Sequence, residues 1–528
     1  MAFDPIKLRG SEFAWLFDFI WAGQTYHLST ESVTTSFGDG GASLDYVAGL
    51  DFDGEVDDAL DLFGKEPRAA QASVVLFLED VLNVAKMVAE GHDLNSSRGR
   101  LWLWIKGTED RLLLVDGDVR SPEYEEKSDP VSLTIEEAPY QDRGLLPGPG
   151  HRVNSKTWSN FDDRAEEERY PVVFGKPGNA AGMAFGSPAL LVEKTGAKSL
   201  LLIAGHEVKA GSVQISDEDG TVTSSVAHQY DALGRRVAVT DIHATAIGPA
   251  TLGKSYFVST WGDGGLDRAG VQVRGAGDVL EWLLERSTIR WDRGRLAAIQ
   301  TYLNAYKVDG ALVAGPEERV SPWAWITDHL LPILPISART GPDGLYFALF
   351  RMDADVRDSV ATIEEGRNAD RISAVSYEGG DDVASEFQVA FAPRSQDGKM
   401  TQRAIISAEE SAIEREGARG SLLCKLSLER YGHRVSEVSS SVIFDSATAF
   451  RVAHWQAAAY ALPTRLVEYR ASAELAFIEP GQVVSLNDSG LAIDERLAHV
   501  DSIRWNSSGT IDVSLRLFER PWTQHKKQ

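Results

Sequence analysis

Alternating apolar and polar residues near the end of the chain constrain its fold more than any other feature. The alternation occupies four runs, residues 466–478, 482–486, 499–505 and 510–518. A repeat of two residues places successive side chains on opposite faces of a strand, and short polar breaks favour antiparallel connections. We therefore predict a small, half-buried β-sheet in this stretch, with residues 466–478 as one strand.

The break between the first two runs predicts a tight turn between paired strands. Pro480 suits the second position of such a turn, and Gly481 tolerates the positive φ that a type II turn requires at the third. The surrounding phrase, Glu-Pro-Gly-Gln-Val-Val-Ser-Leu at 479–486, resembles the end of bacteriophage tail-tip or baseplate hub proteins. In that family a Pro-Gly-Asp phrase opens a β-barrel-like domain near the tail axis, and Gln482 here replaces the Asp.

Two further segments resemble the same proteins. The phrase Tyr-Pro-Val-Val-Phe-Gly-Lys-Pro at 170–177 is similar to phrases in phage tail proteins. The order of strand-like runs before residue 140 resembles the N-terminal barrel of hub and distal tail proteins, beginning with a hairpin at 12–35 that has an aromatic face.

The resemblance implies a structural role in the virion. A hub protein of a long-tailed phage forms a homotrimer that closes the tail tube, and it connects the distal tail protein to fibres or receptor-binding proteins. It also implies contact with the tape measure protein, a place at the tail tip, assembly in the host cytoplasm, and DNA that passes during ejection without specific binding. The alternative is a receptor- or carbohydrate-binding tail protein, which an exposed groove lined by aromatic residues would favour.

Composition is compatible with these roles and argues against tight DNA binding, disulfides and Cys-rich metal sites. The 528 residues carry a net charge of -25, which opposes tight binding to DNA phosphates because such binding requires Lys and Arg. One cysteine, Cys424, excludes disulfides within the chain and Cys-rich metal sites, and we expect it in the core. The N-terminus lacks the pattern of a signal peptide, and the most apolar segment, 323–336, is too short and interrupted to span a bilayer.

The distribution of these patterns predicts a mainly β fold with α+β parts, in which several β-barrel or sandwich-like modules accompany a small helical insertion. We expect an N-terminal hub-like β domain at 1–143, a linker at 144–169, a second β module at 170–262, a helical segment at 263–340, a β-rich domain at 341–443, a helix with the C-terminal sheet at 444–523, and a tail at 524–528. Four residues are predicted N-caps of helices: Asp278, Asp292, Ser321 before Pro322, and Asp445 or its neighbour Ser446.

The most conspicuous chemical motif is a P-loop pattern, Gly-Pro-Ala-Thr-Leu-Gly-Lys-Ser at 248–255. A P-loop requires a helix after the loop so that its N–H groups face the phosphates, but the following residues, 256–261, favour a strand. A strand with a Walker B-like Asp116 lies far upstream, and Asp116-Gly117 predicts a hairpin turn there. A P-loop NTPase is therefore a minor alternative, as is a cell-wall or glycoside hydrolase, whose paired carboxylates leave no local signature.

The remaining motifs favour structural interpretations. Residues 230–235, Tyr-Asp-Ala-Leu-Gly-Arg, match one toxin-shell repeat but predict a simple hairpin turn. His206-Glu207 begins a zinc-protease motif, but Ala210 occupies the position where the motif requires its second His, so no zinc site is predicted. Two acidic clusters do not fit calcium loops and indicate solvated or channel-facing patches: Asp51, Asp53, Asp57, Asp58 and Asp61, and Asp381 with Asp382. We predict no catalytic, metal-binding or cofactor-binding residue and no cofactor.

We predict that residues 248–255 bind no nucleotide, because a strand follows the loop. Calorimetric titration of the protein with ATP should give no binding heat, and Lys254→Ala should behave like the unchanged chain. Micromolar ATP binding that Lys254→Ala abolishes would contradict the prediction.

Overall fold

The computed structural model describes residues 12–37, 41–52, 56–59, 70–78, 81–124, 130–137, 142–148, 150–178, 186–195, 198–217, 220–243, 255–312, 318–341, 343–351, 353–378, 383–394, 397–408 and 418–518. Strands dominate these residues and form several sheet and barrel modules, while the helices are few and mostly short. The predicted mainly β fold with α+β parts is confirmed.

The first part of the chain forms ten strands. They are β1 (Phe13–Trp21), β2 (Gln24–Ser29), β3 (Val33–Thr35), β4 (Leu44–Ala48), β5 (Leu50–Asp51), β6 (Val56–Ala59), β7 (Gln71–Leu76), β8 (Arg98–Ile105), β9 (Arg111–Tyr124) and β10 (Val131–Glu136). Strands β1 and β2 form the predicted antiparallel hairpin, with Trp21 opposite Gln24. Trp15, Phe17 and Phe19 of its aromatic face are buried, which confirms that prediction.

The next ten strands centre on a closed barrel. They are β11 (Val172–Phe174), β12 (Ser187–Thr195), β13 (Lys198–Ala204), β14 (Ser212–Ser216), β15 (Thr221–Tyr230), β16 (Arg236–His243), β17 (Tyr256–Trp261), β18 (Asp267–Arg268), β19 (Val271–Gln272) and β20 (Gly310–Leu312). The barrel order is β12-β13-β16-β15-β14-β17. Strand β11 pairs with β20 outside the barrel and brings the barrel's entry segment against the helical part.

The last strands are divided among three sheets. They are β21 (Ile336–Gly341), β22 (Gly344–Leu349), β23 (Thr362–Glu364), β24 (Ala369–Arg371), β25 (Ser376–Glu378), β26 (Glu386–Pro393), β27 (Met400–Ser407), β28 (Ala418–Gly420), β29 (Val435–Ser439), β30 (Thr464–Ala471), β31 (Val483–Asp488), β32 (Ile493–Trp505) and β33 (Ile511–Leu517). Strands β21 and β22 form a hairpin, and β26 to β29 form a sheet in the order β28-β27-β26-β29. Strands β23 to β25 and β30 to β33 join the sheet of the N-terminal part.

One sheet therefore contains both ends of the described chain. Strand β6 pairs antiparallel with β32, so that Val56 lies opposite Trp505. The Trp15 indole also donates a hydrogen bond to the Ser507 carbonyl, at 2.9 Å. A continuous hydrophobic core lies beneath this sheet and includes side chains from both parts. The division of the chain into the predicted domains stays a prediction.

Six α-helices occur in the described residues. They are α1 (Val84–Ala89), α2 (Ala276–Leu284), α3 (Arg293–Leu303), α4 (Pro322–Trp325), α5 (Leu422–Tyr431) and α6 (Ser446–Tyr460). Asp292, Ser321 and Asp445 cap α3, α4 and α6 as predicted, each accepting a backbone N–H three residues ahead. Such caps contribute about 1 kcal/mol each.

The prediction that Asp278 caps a helix is wrong. Gly275 occupies the N-cap of α2, and Asp278 lies in the first turn. Its carboxylate instead accepts hydrogen bonds from the side chains of Gln300 at 2.9 Å and Asn304 at 2.8 Å. Asp278 therefore fastens α2 to α3, which local sequence does not reveal.

The predicted turn at Asp116-Gly117 is also wrong, because β9 continues through both residues. Asp116 accepts from Arg98 at 2.8 Å and from Arg100 at 3.3 Å, both on the paired strand β8. A Cβ at Gly117 would lie 2.2 Å from the Glu136 carbonyl oxygen. The glycine therefore permits close approach of β9 to β10 and does not form a turn.

The predicted strand at 466–478 ends early, at Ala471 of β30, and a short 3-10 turn follows at Ala473–Leu475. The adjacent side chains of Leu475 and Ala476 are both buried. A strand directs neighbouring side chains to opposite faces, so burial of both on one side favours the helical turn. The alternating pattern therefore continues past the end of the strand into a 3-10 turn, which the pattern alone does not reveal.

The turn at 479–482 forms, but its flanking strands do not pair with each other as predicted. Strand β30 pairs with β33, β24 and β25, whereas β31 pairs with β32 and β23. The Gln482 N–H donates to the Glu479 carbonyl at 3.1 Å, and the Gln482 side chain accepts from the Glu479 N–H at 3.0 Å. Gln482 thus provides a side-chain acceptor that closes the turn.

This turn packs the C-terminal strands against the helical part. The Glu479 carboxylate receives two hydrogen bonds from Arg295 of α3, both at 2.8 Å. The same guanidinium lies 4.1 Å from the ring centroid of Tyr346 on β22. A bidentate pair fixes orientation as well as distance, so the turn is held in one arrangement against α3 and β22.

A buried histidine adjoins the turn. The His499 ring stacks between Phe350 at 4.4 Å and Phe518 at 4.5 Å, and its Nε2 donates to the Arg351 carbonyl at 2.9 Å. Burial lowers the pKa of His499 to about 4. The ring is therefore neutral at pH 7 and serves as an apolar spacer with one donor.

A buried ion pair joins the helical part to the barrel's entry segment. Asp309 is fully buried and accepts two hydrogen bonds from Arg274, at 2.6 and 2.8 Å. It also accepts from the Lys176 N–H at 2.7 Å, and its own N–H donates to the Val442 carbonyl at 2.8 Å. Hydrogen bonding to Asp309 raises the pKa of Arg274, so the guanidinium remains charged.

The most apolar segment, 323–336, packs inside the protein. It forms most of α4, a π-helical turn at Ile326–Leu330 and the start of β21, and Trp325, Ile326 and Leu330 lie in the core. Across the described ranges, no helix has both the length and the apolar character needed to cross a bilayer.

We predict that Gly481→Val destabilises the protein. Its φ is +89°, and a Cβ there would lie 2.7 Å from the Cβ of Ala348. The left-handed backbone alone costs about 1–2 kcal/mol for other residues, and the contact adds to it. Gly23→Val is the matched control, because Gly23 has φ +78° and open space around it. Urea unfolding should show a larger loss for Gly481→Val, and equal losses would exclude the close contact.

We also predict an acid-sensitive stability that depends on His499. Its pKa is about 4 in the folded protein and about 6.5 in an unfolded chain, so the unfolded state binds the additional proton between these values. The contribution of neutral His499 to the free energy of unfolding is therefore fully present above pH 6.5. It falls by about 1.4 kcal/mol per pH unit as the pH decreases toward 4.

Urea unfolding at pH 5 and pH 7 tests this dependence. His499→Gln should lower stability at both pH values but reduce the difference between them, whereas exposed His92→Gln should leave that difference unchanged. A pH dependence that His499→Gln does not alter would contradict the assignment.

Candidate functional site

The P-loop pattern lies almost entirely outside the described residues, which resume at Ser255. Strand β17 starts at Tyr256, directly after the motif, and pairs with β12 and β14 in the barrel. The expected strand after the motif is thus confirmed, and the helix that a phosphate-binding loop needs is replaced by a barrel strand.

Most residues of the acidic clusters also lie outside the described part. Asp53, Asp61, Asp381 and Asp382 are not described, and Asp51 is exposed at the end of β5. Asp57 and Asp58 belong to β6, whose backbone pairs with β32. Their participation in one acidic surface stays a prediction.

His206 has a structural environment. Its Nε2 accepts the Val173 N–H at 2.9 Å, and its Nδ1 donates to the Glu207 carbonyl at 2.8 Å. Burial lowers its pKa to about 4. Within the described ranges, no three His, Cys, Asp or Glu side chains gather as metal ligands would.

The segment 230–235 forms the predicted turn, between β15 and β16. Asp231 accepts the N–H groups of Leu233 and Arg235, both at 2.9 Å, and the Tyr170 hydroxyl donates to it at 2.9 Å. The Asp and Gly of this motif therefore build a hairpin and fasten it to the segment before β11.

Cys424 is buried in α5 as predicted. Burial raises the pKa of its thiol to about 11, so the reactive thiolate is scarce at pH 7. The residue is a small core side chain.

An open groove of about 530 Å³ lies where α3 meets α6, and we call it the aromatic groove. Its aromatic lining is Tyr302, Tyr306 and Phe450, and its polar lining is Asp353, Arg419, Arg451 and His454. Tyr306 is buried beneath the groove, whereas Arg419, Arg451 and His454 are exposed at its mouth. Its volume is in the range that holds a small ligand.

Sequence reasoning missed this groove. Phe450, Arg451 and His454 lie within one and a half turns of α6, so they share a face that the 3.6-residue period reveals. Tyr302 and Tyr306 come from the end of α3 and the residues after it, about 150 positions earlier. Their proximity depends on the packing of the two helices, for which the sequence has no local signal.

One protein family model matches the chain. It is described as a putative phage tail protein, and the match covers residues 425–500, which include α6, the turn at 479–482 and β31. No curated protein sequence matches the chain.

Several solved structures are similar to the chain. A tail protein from Neisseria meningitidis is 11% identical, with 96% of each chain covered and a TM-score of 0.39. A prophage tail protein of 43 kDa from Shewanella oneidensis is 8% identical over 95% of this chain and 98% of that one, with a TM-score of 0.37. A prophage tail protein from Listeria monocytogenes is 8% identical over 96% and 94%, with a TM-score of 0.36.

The family match contains the Glu-Pro-Gly-Gln-Val-Val-Ser-Leu phrase that first indicated a resemblance to phage tail proteins. That phrase forms the turn and strand that hold the C-terminal sheet against the helical part. The resemblance to phage tail proteins is confirmed, and the family match lies in residues 425–500.

Proposed function

We propose that this phage tail protein is a structural component of the tail tip or baseplate hub of a long-tailed phage. It closes the tail tube and connects the distal tail protein to fibres or receptor-binding proteins. The observation that carries the proposal is the family signature at 425–500, because it coincides with the turn that docks the C-terminal strands. The assignment gives the chain no catalytic role.

The proposed assembly is a homotrimer that surrounds the path of the DNA. Its further partner is the tape measure protein, and its place is the tip of the virion after assembly in the host cytoplasm. A net charge of -25 per chain supports a wall that does not retain DNA. Phosphates bind Lys and Arg, whereas carboxylates repel the duplex over a Debye length of about 8 Å at physiological salt.

The carboxylates of this wall are proposed to come from the acidic clusters. Asp51 is exposed, and the paired strand β6 positions the backbone of Asp57 and Asp58 beside β32. Both ends of the described chain therefore meet at the sheet that carries this cluster, which makes the sheet a suitable wall element.

The aromatic groove favours a second candidate function, a receptor- or carbohydrate-binding tail protein. Three aromatic side chains and four polar ones converge in an open groove of about 530 Å³. Sugar rings present apolar C–H faces together with hydroxyl groups, which such a lining accommodates. This function is compatible with the hub role, since one protein can perform both.

A reconstruction of the particle tests the hub proposal. We expect three copies in a closed ring at the tail tip, with carboxylates facing the axis and apolar or neutral groups at the subunit contacts. A single copy on the outer surface of the particle, or a ring with a basic lumen, would overturn the proposal.

A further inference from the structure

The aromatic groove presents two arginines that are held by aromatic rings. The Arg419 guanidinium lies 3.8 Å from the ring centroid of Phe450. The Arg451 guanidinium lies 5.7 Å from that of Tyr306, and it also donates to the Ala305 carbonyl. Stacking on a ring restricts an arginine while its N–H edge stays available for hydrogen bonds.

These arginines have no acidic partner in the part of the chain that the structure describes. The ion pairs formed there by Arg and Lys do not include Arg419 or Arg451. The chain has 78 acidic and 53 basic residues, so two arginines of one groove that form no ion pair among the described residues are unusual, and Asp353 is the one carboxylate in the groove's described lining. A guanidinium fork matches the two oxygens of a carboxylate, which makes an anionic ligand the best fit.

The other polar groups of the groove suit hydroxyls. Asp353 lines it and lies 3.6 Å from Arg351, whose closer partner is Asp358 at 2.7 Å, so the Asp353 carboxylate can accept further hydrogen bonds. His454 remains partly exposed, yet partial burial and then the charge of Arg419 lower its pKa. A neutral imidazole donates with one nitrogen and accepts with the other, and a carboxylate accepts from hydroxyls.

We propose that the aromatic groove binds an acidic saccharide, with its carboxylate on Arg419 and Arg451 and its hydroxyls on Asp353 and His454. Tyr302, which is half-buried and lines the groove, would pack against the sugar ring. An acidic peptide segment is the less suitable occupant, because Asp353 would repel its carboxylates without hydroxyls to donate to it. This inference rests on the second candidate function and not on the hub assembly.

Calorimetry on the full chain tests the proposal with matched sugars. The acidic probes are tetragalacturonate and sialyllactose, and the neutral probes are the methyl ester of tetragalacturonate and lactose. We expect at least one acidic probe to bind at least about tenfold more tightly than its neutral counterpart, because a hydrogen bond to a charged group contributes about 1.5–3 kcal/mol. Added salt should weaken this preference.

Four variants test the location of the site. Arg419→Ala and Arg451→Ala should each reduce affinity by about tenfold or more, on the same physical grounds. Arg367→Ala is the control, since Arg367 is an exposed arginine that pairs with Glu364 and does not line the groove. Arg451→Lys should restore part of the affinity, and thermal unfolding confirms that each variant is folded.

Several outcomes would overturn the proposal. These are binding of none of the acidic probes, equal affinity for acidic and neutral sugars, or affinities that Arg419→Ala and Arg451→Ala do not change. Binding of polyglutamate but not of the sugars, lost in the same variants, would identify an acidic peptide as the occupant. A trimeric ring without saccharide binding would overturn this inference and leave the hub proposal intact.

Discussion

The buried pair of Asp309 and Arg274 is the interaction on which the rest of the structure depends most. A fully buried carboxylate is costly unless its hydrogen bonds are satisfied, and here a guanidinium and a backbone N–H satisfy it. Each contact belongs to a different element: Lys176 precedes the barrel, Arg274 precedes α2, and Val442 precedes α6. Loss of either charged partner would leave the other unpaired in the core, so the pair specifies how barrel and helices meet.

A second ion pair docks the C-terminal turn against the helical part. Arg295 reaches Glu479 from α3, and His499 contributes a neutral ring beneath the turn. The family signature at 425–500 therefore describes more than a local turn. It spans the helix α6, which forms one wall of the aromatic groove, and the strands β30 and β31 of the C-terminal sheet.

The sequence predicted those features whose cause is local. Asp292, Ser321 and Asp445 act on N–H groups three residues away, and the alternation in β1 places its aromatic side chains on one face of a strand that is buried on both. Features caused by distant residues were missed. Asp278 accepts hydrogen bonds from Gln300 and Asn304, and Gly117 allows the close approach of the Glu136 backbone.

The functional predictions also depended on whether the relevant residues are close together in the sequence. The Glu-Pro-Gly phrase is contiguous, so it indicated a phage tail protein without a structure. The aromatic groove needs side chains from two helices about 150 positions apart, and neither helix shows an unusual composition by itself. The acidic clusters were chosen for charge density, which is a sequence property, whereas a channel wall is a property of the assembly.

The pairing of the two ends of the described chain has a consequence for synthesis. Trp15 donates to the carbonyl of Ser507, 492 positions later in the chain. At about 5–20 residues per second, a ribosome needs about 25 to 100 seconds to cover that distance. During this interval the edge of β6 has no β32 to pair with, although the barrel between them has already left the ribosome. An open strand edge invites association with other chains, so the time of translation is itself a hazard for this chain.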